Sequence, residues 1–75
     1  MTKVMRYRFI GSDGSLGYRK DKVYSLIVHE RSLSERILGA IEGTPFSWRI
    51  VISSPIICPY TAWESFYNNW EKVSL

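Results

Sequence analysis

Seventy-five residues with 45% hydrophobic side chains and a net charge of +3 make one domain, residues 1–75, around one core. Eleven aromatic rings (three Trp, five Tyr, three Phe) supply the buried area so short a chain needs, which excludes disorder and leaves little chain for a multi-step enzyme. The single cysteine excludes an intramolecular disulfide, and the apolar runs at 26–28 and 50–52 are too short to cross a bilayer, so the expectation is a cytoplasmic protein with no membrane partner.

Residues 3–10 alternate, with Met5, Tyr7 and Phe9 on one side and Arg6 and Arg8 on the other, which predicts a half-buried strand. Turn formers at 11–17 break it, and a second strand follows over 22–30, where Tyr24, Leu26 and Val28 share a face. The two read as an antiparallel pair joined by a long glycine-rich loop. Ser32 and Glu35 form a capping box, and Leu33, Ile37, Ala40 and Ile41 lie on one face of a short helix that stops at Gly43-Thr44-Pro45. Alternation returns over 46–53 as a third strand, with Phe46, Trp48, Ile50 and Ile52 on one side. Pro55 and Pro59 bracket a short edge strand at 56–58. Thr61 and Glu64 then open a C-terminal helix to about Val73, with Trp63, Phe66, Trp70 and Val73 as its apolar stripe.

The basic residues are unevenly placed. The first 22 residues hold six basic side chains against two acidic ones, a balance that suits either attraction of phosphates or acidic partners or a solvated strand face kept charged for solubility. The 11–17 loop offers backbone N–H groups, hydroxyls and glycines beside Arg8 and Arg19, the parts of an anion-binding nest, although Asp13 repels a phosphate and such a loop also serves merely to turn the chain. Tyr18, Trp48, Tyr60 and Tyr67 are the rings free of the apolar stripe and so the candidates to stack on a planar ligand. One histidine and one cysteine cannot make a four-ligand zinc site, and neither a phosphate-loop motif nor an acid–base constellation is present. The expectation is therefore a non-enzyme with no cofactor and no metal.

Three segments carry a resemblance: residues 8–17, with Phe9-Ile10-Gly11-Ser12-Asp13-Gly14-Ser15-Leu16-Gly17; Lys22-Val23-Tyr24; and Cys58-Pro59-Tyr60-Thr61-Ala62-Trp63 with Phe66 and Asn69-Trp70. Together they resemble a group of small phage and prophage proteins of Gram-positive bacteria with the pattern F-I-G-x-D-G-S-[ML]-G, a G-K-x-Y turn, and C-P-Y-S-S ahead of F-x-x-N-W. The resemblance implies an α+β, mainly antiparallel β fold, a small SH3-like partly closed barrel with a C-terminal helix, in a phage context. Lys20-Asp21-Lys22 departs from the glycine-lysine turn, Thr61-Ala62 from Ser-Ser, and residues 31–45 form a longer segment than in the shortest relatives.

Two functions are expected. In the first, a phage protein counters host immunity by sequestering a small phosphorylated, nucleotide-type signal, as a homo-oligomer that encloses it between subunits. Arg6, Arg8, Arg19 and Lys20 would meet phosphates, Tyr18 or Tyr60 would stack, and Ser12, Asp13, Gly14 and Ser15 would hydrogen-bond. In the alternative, an SH3-like interaction module binds and modulates a host protein through exposed aromatics. Nucleic acid fits less well, because +3 is a small charge for tracking a phosphate backbone.

Overall fold

The computed structural model describes residues 2–73. The alternation of the first two segments is realised in β1 (Thr2–Phe9) and β2 (Val23–Glu30), antiparallel neighbours that set Thr2 opposite His29 and Arg8 opposite Val23. With β3 (Ile50–Ser54), β4 (Cys58–Tyr60) and β5 (Trp70–Lys72) they form a five-stranded antiparallel sheet ordered β4-β3-β2-β1-β5, curled into a half-barrel. Two short helices, α1 (Leu33–Glu42) and α2 (Trp63–Asn69), complete an α+β fold. Neither is long and apolar enough to cross a membrane.

The period of two sorts the side chains. Tyr7, Phe9, Leu26, Val28, Ile50, Ile52, Cys58 and Tyr60 fill the concave face, which Phe66 of α2, Trp70 and Tyr18 close. Edge-on ring contacts knit this core, Tyr18–Trp70 at 4.8 Å and Phe9–Trp70 at 5.1 Å between centroids, each worth about 0.5–1.5 kcal/mol beyond burial. The Tyr60 hydroxyl accepts hydrogen bonds from Trp70 Nε1 at 3.0 Å and Asn69 Nδ2 at 3.2 Å, so the buried indole N–H is satisfied.

Several expectations change. The edge strand expected over 56–58 lies instead at Cys58–Tyr60, with Pro59 inside it. The strand expected over 46–53 begins only at Ile50, because Trp48 N–H donates to Pro45 O at 3.1 Å and closes a turn. The C-terminal helix ends at Asn69, since Asn68 and Asn69 are weak helix formers and β1 has an edge to be paired. Trp70 therefore belongs to β5, opposite Phe9, and the Thr61 cap is not used: α2 starts from Ala62 without a side-chain cap.

Helix α1 is capped as expected. Glu35 N–H donates to Ser32 Oγ at 3.2 Å, Ser32 N–H donates to Glu35 Oε1 at 3.0 Å, and Gly43 ends the helix at φ +102°. Its orientation is the surprise. The stripe of Leu33, Ile37 and Ile41 faces outward, and Gly39 is the buried residue. The concave face is already occupied by α2, so α1 is tied down by polar contacts instead. Arg31 Nη2 donates to Glu35 O at 2.9 Å and Arg36 Nε to Phe46 O at 2.9 Å. A Cβ at position 39 would collide with the Arg31 guanidinium, which explains a glycine inside a helix.

Candidate functional site

The residues expected to bind a ligand do not converge. Tyr18 and Tyr60 correct the expectation of free rings: they are 0% and 7% exposed and cannot stack on a ligand. The Tyr18 hydroxyl donates to Ile56 O at 2.8 Å and accepts Ile56 N–H at 3.2 Å, pinning the 11–17 loop to the β3–β4 connection. Burial pushes the phenols up, Tyr60 to about 12.

The loop spends its donors on itself. Gly14 N–H bonds Tyr18 O at 2.8 Å, Ser15 N–H bonds Ser12 O at 2.9 Å, and Tyr18 N–H bonds Ser15 O at 3.0 Å. Asp13 is the organising acid: its Oδ1 accepts Lys20 N–H at 2.9 Å and lies 3.7 Å from Arg19 Nε. An anion nest needs convergent unsatisfied N–H groups, and here four amides, those of Gly14, Ser15, Gly17 and Tyr18, are taken by carbonyls of the same segment. Arg6 and Arg8 project from the convex face of β1, where Arg8 Nη1 meets Glu71 Oε1 at 3.2 Å.

A different part of the convex face is concave enough to hold a ligand. An open, solvent-facing cavity of about 440 Å³ lies between α1 and the outer surface of β2 and β3. His29, Val51 and Ser53 line it from the sheet, Arg31 and Glu35 from α1 and its approach, Thr44 and Trp48 from the connection to β3. Small-ligand sites run from about 300 to 1,000 Å³ and combine apolar walls with a few polar groups, the mixture present here. Trp48, one of the candidate stacking rings, is half-buried and forms one wall.

Its polar groups are held in place. The Arg31 guanidinium donates through Nη1 to Trp48 O at 3.0 Å and through Nη2 to Glu35 O, so carbonyls rather than a carboxylate orient it. These two bonds use two of its five N–H donors. Glu35 is drawn down to about 2, first by the Ser32 N–H and then by His29. An ionised carboxylate only accepts, so His29 Nε2–H donates across the 2.7 Å to Glu35 Oε2. On the other side of the ring, Nδ1 lies 2.7 Å from Thr2 Oγ1, tying β1, β2 and α1 together. Arg6 sits four residues along β1 from Thr2, about 13 Å away at strand rise. The basic strand thus shares the cavity's face without reaching the cavity.

Sequence reasoning had two of these signals. Alternation places His29 opposite to Leu26 and Val28, and the capping box places Glu35 at a helix start. Nothing local brings Arg31, Thr44 and Trp48 beside them. No group of three or more metal-ligating side chains occurs among the described residues. Comparisons with known proteins add no relative: no family model, no curated protein and no solved structure matches the chain.

Proposed function

We propose that this chain is a binding protein, not a catalyst, that sequesters a small planar phosphorylated molecule of nucleotide type in the cavity between α1 and the sheet. The observation that carries the reading is the adjacency of an indole and an oriented guanidinium: Arg31 Nη1 holds the Trp48 carbonyl while both side chains line the same space. The indole offers a stacking face, the remaining guanidinium donors offer charge-assisted bonds to phosphate, and Ser53 and Thr44 offer hydroxyls to the ligand's polar edge. An SH3-like identity for the half-barrel, and the phage setting implied by the sequence resemblance, belong to the same proposal. In that setting the protein would remove a host immune signal from the cytoplasm. The alternative of an interaction module draws on a separate observation, the outward apolar face of α1.

The test is calorimetric titration of linear and cyclic nucleotides into wild type, Trp48→Ala and Arg8→Ala. Losing the stacking face costs roughly 1–3 kcal/mol, about 5- to 150-fold in affinity. Arg8→Ala, outside the cavity, leaves binding within about twofold. Absence of binding across the panel defeats the ligand reading. Binding lost with Arg8 but kept with Trp48 returns the site to β1 and its loop.

A further inference from the structure

We propose that α1 is the interface of a symmetric homodimer, its outward face docking on the same face of a second copy of this chain. Leu33, Ile37, Leu38 and Ile41 are 49–78% exposed, and Phe46, held beside the helix by Arg36, is 44% exposed. At 3.6 residues per turn, Ala40, Leu33, Ile37, Ile41 and Leu38 span an arc of roughly 160° that holds no charged side chain. The polar anchors lie on the opposite side: Glu35 bonds His29 and the Ser32 N–H, Arg36 bonds Phe46 O, and Gly39 is buried against Arg31. The helix is thus fastened with its apolar side turned away from its own core.

The area selects the partner. The exposed fractions of these residues amount to roughly 600 Å² per protomer, so two copies that cover them completely remove at most about 1,200 Å², the lower edge of stable specific interfaces. A patch of that size stands at the upper end of what the surface of a monomer carries, where such patches are often functional. A two-fold axis near Ile37 and Leu38 pairs two antiparallel ten-residue helices, Leu33 of one against Ile41 of the other. Opposed helix directions also bring the positive end of each dipole to the negative end of its mate. The inference stands apart from the ligand reading, since no ligand takes part.

Sedimentation velocity on the full chain without nucleotide tests it, over concentrations from about 1 µM to about 1 mM. The expected result is conversion from the 8.8 kDa chain to a species of twice that mass. Ile37→Glu places two charges at the axis and weakens association at least about thirtyfold. Its side chain touches no core, so circular dichroism of the monomer stays that of wild type. Oxidative cross-linking gives a second readout: Ile37→Cys forms a covalent dimer, and Lys20→Cys, on the distant loop, does not. A wild-type chain that remains monomeric to about 1 mM overturns the proposal. So does a dimer that Ile37→Glu leaves intact, because its interface then lies elsewhere.

Discussion

Tyr60→Phe isolates one atom on which the core depends. The substitution keeps the buried ring and removes only the hydroxyl, which accepts from Trp70 Nε1 at 3.0 Å and Asn69 Nδ2 at 3.2 Å. Asn69 can turn to water, but Trp70 is 1% exposed and its N–H is left without an acceptor. An orphaned buried donor costs about 1–3 kcal/mol. In a domain of this size each kcal/mol moves the melting temperature by about 4–8 °C, so a cost of about 2 kcal/mol lowers Tm by roughly 8–16 °C. The alkaline limb supplies an internal check. Burial raises the Tyr60 phenol to about 12, partly countered by the two donated hydrogen bonds. Its folded value exceeds its unfolded value of 10.0, so this contribution is complete below pH 10 and is lost as pH rises towards 12. Tyr7 and Tyr18 shift in the same direction, so wild type loses stability there with or without Tyr60. The difference between wild type and Tyr60→Phe should therefore shrink between pH 10 and 12. Urea melts across that range measure it. Equal Tm values at pH 7 would refute the reasoning, because the indole N–H would then have another acceptor.

Gly17→Ala should cost at least about 1 kcal/mol in urea melts, because the residue sits at φ +84° and a Cβ would lie 2.9 Å from Ile56 Cδ1. Glu35, held at about 2 against an ordinary 4.5, supports the fold above pH 4.5 and loses that contribution as pH falls towards 2. Glu35→Gln keeps a side chain able to close the capping box, so the α1 amide resonances should lose this acid transition while their shifts at pH 7 stay near wild type. Cys58 is 3% exposed and burial pushes its thiol up, so a thiol reagent at neutral pH should modify it only as fast as the protein opens; rapid native-state labelling would contradict this.

Short-range patterns carried much of the fold. Alternation marked β1 and β2 because a strand's side chains point by turns to opposite faces, and the Ser32–Glu35 box marked the start of α1 because its two hydrogen bonds close within four residues. The aromatic content foretold a core built of rings, and Phe66 and Trp70 are in it. The same patterns misplaced Trp70 on a helix, since a helical stripe cannot register that β1 has an edge to be paired by residues more than sixty positions away. They also left Tyr18 free, when its ring is locked by the Ile56 backbone 38 residues on. An amphipathic stripe says that α1 has an apolar side, but not that α2 has already filled the concave face and sent that side outward. The cavity is equally non-local: Arg31 reaches Trp48 across 17 residues, and His29 gathers Thr2 and Glu35 from two other elements. Such meetings depend on how the sheet curls and which face each helix takes, and those are settled by competition for buried area among distant segments.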